Sequence, residues 1–111
     1  MDAEEIRKIA AFLRTISALE NIRSANSFLQ SALIKELGPS LEFLKLASTE
    51  TEDAFRNLYD STGIYPTSIR LLFDAIILQR QAMEALTVPA RDSLAGSAAA
   101  KLNEARALMT R

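Results

Sequence analysis

Residues that interrupt helices are confined to three short places in this chain, apart from Gly96, and this feature constrains the fold most strongly. Glycine and proline occur together at Gly38-Pro39, they recur between Gly63 and Pro66, and Pro89 stands alone. Half of the 111 residues are hydrophobic, while aromatic residues make up only 6%. The long uninterrupted stretches between the breaks favour helices over strands, so the sequence predicts an all-α protein.

The breaks predict helix ends rather than domain linkers, and the length suits a single helical domain spanning residues 1–111. We expect an up-and-down bundle of four helices near residues 3–36, 40–61, 67–87 and 90–108, completed by oligomerisation, because short connections make neighbouring helices antiparallel. Gly38 and Gly63 are expected to end helices in the left-handed conformation. Ser40 and either Thr67 or Ser68 are expected to cap the helices that follow.

The apolar stripe of the first segment changes face along its length. Apolar residues follow helical spacing from Ile6 to Ile16, then recur every three residues to Ala25, which turns the stripe half way round the helix. Two explanations are open: a helix that bends or breaks between Ser24 and Ser27, or one long helix that touches different partners along its length. We favour the continuous helix.

The second segment is conventionally amphipathic, and its predicted buried face consists of Leu44, Ala47, Thr51, Ala54, Phe55 and Leu58. The third segment, from Ser68 to about Leu86, carries an apolar arc of about 220° on a helical wheel. A surface helix needs only about 100°, so the third helix must be covered from two sides. We therefore predict a homodimer, with Leu71 and Leu78 of this helix and part of the first helix at the interface.

Three polar or aromatic residues are further candidates for partner binding. Asp74 lies between apolar residues and could contact a partner, or it could pair with Arg70 in a strip facing solvent, which is the commoner arrangement. Tyr59 and Tyr65 flank the turn after the second helix and could bind a partner, or they could pack against the bundle.

The absence of histidine and cysteine excludes the usual zinc sites, thiolate nucleophiles and catalytic triads, so we expect no metal, no cofactor and no enzymatic activity. The acidic run Glu50, Glu52 and Asp53 is expected to be a solvated face rather than a metal site. With 13 basic and 14 acidic residues spread evenly, the chain lacks the basic patch that nucleic acid requires. An anion site near Thr67, Ser68 and Arg70 is generic to helix starts.

No stretch is apolar for the roughly 20 residues that span a bilayer. The acidic start of the chain differs from a secretory signal, so we expect a cytoplasmic location.

Two functions fit these features. The first is a non-catalytic protein–protein interaction module, of the regulatory adaptor, inhibitor or chaperone type, that acts through apolar helical faces. The alternative is a carrier of an apolar small ligand in a pocket lined by Phe12, Phe28, Phe55, Phe73 and Met83. The alanine-rich segment Ala90 to Arg111 could be the least stable element, which rearranges when a partner binds, or a tightly packed alanine seam.

Overall fold

The computed structural model describes residues 2–61 and 64–111, and within these residues it contains four α-helices and no strands. The helices are α1 (Ala3–Ala32), α2 (Leu37–Tyr59), α3 (Pro66–Glu84) and α4 (Val88–Met109). Each helix packs against the next along the chain, and α1 also packs against α4. The predicted all-α four-helix bundle is therefore confirmed.

Side-chain hydrogen bonds join neighbouring helices, and two bonds at different levels show that α1 and α2 run antiparallel. The α1–α2 pair is joined at Arg14 to Asp60 and at Asn21 to Glu50, and the α1–α4 pair at Asn26 to Asn103. Further bonds join α3 to its two neighbours: Gln79 donates to Thr51 at 2.9 Å, and Ser68 donates to the carbonyl of Ala105 at 3.0 Å.

The turn regions differ from the sequence prediction because all three prolines lie in the first turn of a helix. Pro39, Pro66 and Pro89 occupy positions where the missing backbone N–H has no intrahelical acceptor to lose. Gly38 is accordingly inside α2, and the prediction that it ends the first helix is wrong. The left-handed residue after α1 is Ile34, with φ of 58°.

The predicted capping residues were also partly wrong. Ser40 is buried in the first turn of α2 and donates to the carbonyl of Leu37 instead of accepting from backbone amides. Tyr65 occupies the N-cap position of α3 without a side-chain cap. Thr87 caps α4 by accepting from the amide of Ala90 at 3.3 Å. The expected role of Gly63 falls outside the described residues.

The core is built largely from alanine and leucine, which allow the four helices to approach closely. Within α4, Ala98, Leu102 and Ala105 are fully buried, which is the packing of an alanine seam. The buried face predicted for α2 is confirmed, with Leu44, Ala54 and Leu58 in the core. No helix among the described residues is long and apolar enough to cross a membrane.

Candidate interaction surface on the first helix

The continuous helix α1 has two halves with different surroundings. It runs unbroken for 30 residues, so the predicted single long helix is confirmed and no break occurs between Ser24 and Ser27. Its buried residues all lie in the second half: they are Ala18, Ile22, Ala25, Leu29 and Ala32. The first half, residues 3–17, contains no buried residue.

Five large apolar side chains in the first half are exposed, and we call them the outer stripe: Ile6, Ile9, Phe12, Leu13 and Ile16. Their exposed fractions range from 38% at Ile16 to 63% at Phe12. At 100° per residue, the mean direction of the outer stripe lies about 180° from that of the buried residues of the second half. The outer stripe therefore faces away from the bundle.

Local interactions hold the first half in a helical conformation without support from the core. The side chain of Asp2 caps the helix by accepting from the amide of Glu5 at 2.8 Å. Glu4 and Glu5 lie in the first turn, where negative charge interacts favourably with the helix dipole. Glu4 also pairs with Lys8 at 3.6 Å, and both side chains are largely exposed. These contacts favour the helical conformation that places the outer stripe on one face.

The first half also extends beyond the neighbouring helix. Arg14 donates to the backbone carbonyl of Asp60 at 3.1 Å and contacts its carboxylate at 3.6 Å, so α2 ends beside the middle of this half. The long dimension of the molecule, 54 Å, exceeds its 20 Å width, in keeping with a projecting helix. All the described residues before Arg14 are exposed except Ala11, which is partly buried.

A cavity of about 540 Å³ lies where this projecting segment meets the end of the bundle. Its apolar lining comes from Phe12, Ile16 and Leu19 of α1, Met109 of α4 and the segment Ile64–Tyr65. Arg7 and Lys8 contribute charge at this site. The cavity adjoins the outer stripe, since two stripe residues line it, so the apolar surface continues from the outside of α1 towards the end of α4.

The two leucines predicted at a dimer interface lie inside the bundle. Leu71 is only 8% exposed and belongs to the core, and Leu78 is partly buried against the same core. Helix α3 lies between α2 and α4, so the chain itself covers its wide apolar arc from both sides. Among the large apolar residues of α3, Phe73 and Ile77 remain exposed.

The other predicted partner-binding residues are dispersed. Asp74 pairs with Arg70 at 3.5 Å in the way expected for a solvent-facing strip. Tyr59 is exposed and stacks on Phe55, with ring centroids 5.9 Å apart. Tyr65 packs against the core and lines the cavity beside the outer stripe, so it is the one of these residues that lies next to the exposed apolar surface.

The five residues expected to line one ligand pocket do not share a cavity. Phe12 lines the cavity beside the outer stripe, whereas Phe55 and Phe73 line a separate cavity of about 410 Å³ between α2 and α3. Phe28 and Met83 pack against the core. The prediction of a single pocket formed by these residues is therefore wrong, because they lie at different levels of an elongated bundle.

The charged groups considered as ion sites are engaged with other side chains. Glu50 accepts from Asn21, Glu52 pairs with Arg80, and Asp53 pairs with Arg56. In the described part of the chain, no group of three or more potential metal ligands comes together. At the start of α3, the Ser68 hydroxyl donates to α4.

The outer stripe was only partly anticipated from the sequence. The change of face along the first segment indicated that the two halves meet different surroundings, but the predicted site residues did not include the stripe itself. Apolar spacing within one helix does not show which side of that helix faces the rest of the bundle, so the exposed stripe could not be told from a buried one. Comparisons with protein-family models, curated proteins and solved structures gave no match.

Proposed function

We propose that this protein is a non-catalytic protein–protein interaction module whose docking surface is the outer stripe of α1. The observation that carries this proposal is a row of five exposed apolar side chains on a continuous helix, facing away from the core. Contiguous exposed apolar surface on a water-soluble domain is costly, and it commonly marks an interaction site.

The chemistry of the surface favours a helical partner. The stripe residues recur at spacings of three and four, which matches the apolar face of a second amphipathic helix packed alongside. The polar surroundings carry charges of both signs, with Glu4, Arg7 and Lys8 close together. Charges of both signs around an apolar surface orient a protein partner, whereas a helix that binds a membrane surface usually has a strongly basic polar face.

The placement of polar groups in the bundle supports a non-catalytic role. Gln79 and Thr51 hydrogen-bond each other across α2 and α3, and Arg91 bonds backbone carbonyls. These groups therefore hold helices together, and the nearby acidic residues Glu50, Glu52 and Asp53 are partly buried and paired with other side chains. The same proposal includes a homo-oligomer, which the self-complementary geometry of a helical stripe supports. It also includes a cytoplasmic location, with which the lack of cysteine is compatible.

A second candidate is a carrier of an apolar small molecule, and the cavity beside the outer stripe favours it. Its volume of about 540 Å³ lies in the range of ligand pockets. However, the cavity is formed partly by the exposed side chains of Phe12 and Ile64, so a ligand there would remain open to solvent. We therefore rank the carrier below the interaction module.

The test is recovery of the chain from native extracts, followed by native mass spectrometry of the wild type and two variants. Leu13→Glu places a charge in the outer stripe, and Leu46→Glu makes the same change at a similarly exposed leucine on α2. The proposal predicts a stoichiometric protein complex that Leu13→Glu abolishes and Leu46→Glu retains. A bound small molecule without a protein partner would instead establish the carrier, and equal behaviour of both variants would contradict a role for the stripe.

A further inference from the structure

We propose that the partner of the outer stripe is a second copy of this chain, with the two α1 helices antiparallel about a two-fold axis near Leu13. This inference rests on the proposed function and identifies the occupant of the same surface. In a two-fold antiparallel pair, Ile9 of each copy lies against Ile16 of the other, and near the axis Phe12 meets Phe12 along one edge while Leu13 meets Leu13 along the other. Four of the five stripe residues thus meet another stripe residue, and Ile6 lies at the end of the contact.

The order of charges along the outer face of α1 selects this arrangement. Asp2 and Glu5 precede the outer stripe, and Arg23 follows it, all within about 45° of the stripe direction. Asp2 lies 11 residues before Leu13 and Arg23 lies 10 residues after it, which corresponds to about 16 Å and 15 Å along the axis. An antiparallel pair therefore brings the acidic end of each copy to Arg23 of the other.

The charges needed for this pairing are not used within the chain. Arg23 is exposed, and none of the ion pairs among the described residues includes Arg23 or Glu5. Glu5 and Arg23 have the same direction round the helix, so they share one edge of the antiparallel pair, whereas Glu20 lies about 60° away from both. A parallel pair would instead place acid against acid and Arg23 against Arg23, which is unfavourable.

The apolar area is sufficient for an association that depends on concentration. The exposed parts of the five stripe side chains amount to roughly 500 Å² per copy, so a symmetric pair removes on the order of 1,000 Å² from water. This area lies below the roughly 1,200 Å² at which stable interfaces begin, so a weak, reversible dimer is expected. The most exposed member, Phe12, would lie at the level of the two-fold axis, and aromatic residues are among those that contribute most to binding.

The first experiment measures the mass of the purified full chain by sedimentation equilibrium from micromolar to near-millimolar concentration. Wild type and Leu46→Glu should show the same monomer–dimer equilibrium, and Leu13→Glu should weaken it by about tenfold or more because a charge would be buried at the centre. Circular dichroism should confirm equal helix content in both variants. A wild type that remains monomeric throughout this range would overturn the inference.

The second experiment tests the antiparallel register with single cysteines, which is straightforward because the chain has none of its own. Leu13→Cys should form a disulfide between copies, because it lies near the two-fold axis. Ile9→Cys and Ile16→Cys should each cross-link poorly alone and efficiently when mixed. Cross-linking of each variant with itself would indicate a parallel pair and overturn the proposed arrangement.

A third experiment tests the charge pairing. Arg23→Glu should raise the dimer dissociation constant several-fold at low salt, and the effect should shrink as salt is added, because exposed pairs are screened. Combining it with Glu5→Arg exchanges the two charges and should restore the wild-type constant. An unchanged constant in Arg23→Glu would exclude the charge pairing.

The outcomes separate this inference from the proposed function. If the chain stays monomeric but Leu13→Glu still abolishes a stoichiometric complex with a different protein, the docking surface is correct and the second copy is not its partner. If Leu13→Glu changes neither self-association nor any complex, both proposals fail.

Discussion

At the scale of single residues, Ile34 occupies a conformation that its side chain disfavours. Its φ of 58° lies in the left-handed region, where a β-branched residue is strained, and its side chain is 89% exposed. Its amide donates to the carboxylate of Asp92 at 3.1 Å, which helps to hold the turn between α1 and α2 against α4. The strain is therefore local, and the side chain contributes little packing in return.

We expect Ile34→Gly to raise the free energy of unfolding by about 1 kcal/mol, because glycine adopts this conformation without a Cβ clash. Chemical denaturation measures the change. Ile34→Ala is the matched control, since it removes the exposed side chain but keeps the Cβ atom, and it should gain much less. Equal stabilisation by both substitutions would show that exposed apolar area, rather than backbone strain, is responsible.

Arg91 is a buried cation, 5% exposed, that joins three helices at one end of the bundle. Its guanidinium donates to the carbonyls of Ala82, Met83 and Ala85 at the end of α3, and to the carbonyl of Leu37 and the hydroxyl of Ser40 at the start of α2. The carbonyls at a helix C-terminus lack intrahelical donors and carry partial negative charge, so they stabilise a cation without an acidic partner.

Replacing this residue by methionine should lower the free energy of unfolding by about 3 kcal/mol, because several buried carbonyls would lose a charged donor. Arg91→Lys should lose less, since it keeps the charge but has fewer donors. The exposed Arg106 in the last turn of α4 provides a control, and Arg106→Met should change the free energy by less than about 0.5 kcal/mol. Urea denaturation compares the three, and an unaffected Arg91→Met protein would contradict the proposed role.

At the scale of helices, the two ends of the chain differ in how they are held. The sequence led to the expectation that α4 is either a weak, rearranging element or a packed alanine seam. Burial along its whole length, from Ala95 to Met109, favours the seam. The first half of α1, by contrast, makes few tertiary contacts, so the mobile element is expected at the start of the chain.

Hydrogen exchange distinguishes these elements. Amides of residues 98–108 should exchange as slowly as those of residues 72–78, because both segments lie in the core, and amides of residues 5–14 should exchange fastest among the helical residues at low protein concentration. If the proposed dimer forms, protection of residues 5–14 should rise with protein concentration. Rapid exchange confined to α4 would instead support the rearranging helix.

Gly96 weakens α4 without a packing reason. It is exposed, and a Cβ atom built at this position meets no atom within 4 Å. Gly96→Ala should therefore raise the free energy of unfolding by about 1 kcal/mol, as expected for the interior of a helix. Gly38 is equally open but lies in the first turn of α2, so Gly38→Ala should gain less. Thermal denaturation measures both, and destabilisation by Gly96→Ala would reveal a contact at this face, such as one between copies.

At the scale of the whole molecule, folding and association depend on different parts of α1. The core begins at Ala18, whereas the outer stripe ends at Ile16. The molecule can therefore be divided into a folding unit and a projecting segment, which lets a single helix serve both purposes.

Removal of residues 1–12 should leave the bundle folded, with a melting temperature within about 5 °C of the full chain, because none of the described residues removed is buried. The same truncation should abolish self-association, since it removes three of the five stripe residues. Deleting residues 100–111 is the matched control; it removes Leu102, Ala105 and Met109 from the core and should unfold the protein. Circular dichroism and sedimentation measure the two effects, and loss of folding in the N-terminal truncation would contradict this division.

Local pattern was enough to predict the helical class, the four helices and the buried face of α2. These properties follow from helix propensity, from apolar spacing and from the scarcity of glycine and proline, all of which act within one segment. The reversal of the apolar face in α1 was also visible in the spacing of its isoleucines and leucines. The ends of the helices were less predictable, because Gly38-Pro39 is compatible with either the end of one helix or the start of the next.

Tertiary structure alone decided which apolar faces are covered. The wide arc of α3 required two neighbours, and the sequence did not show whether a second chain or α2 and α4 would provide them. In the bundle, Leu71 lies in the core and Leu78 packs against it, while the outer stripe of α1 remains exposed. The physical reason is that periodicity specifies a face relative to its own helix axis, whereas burial depends on where the other helices stand.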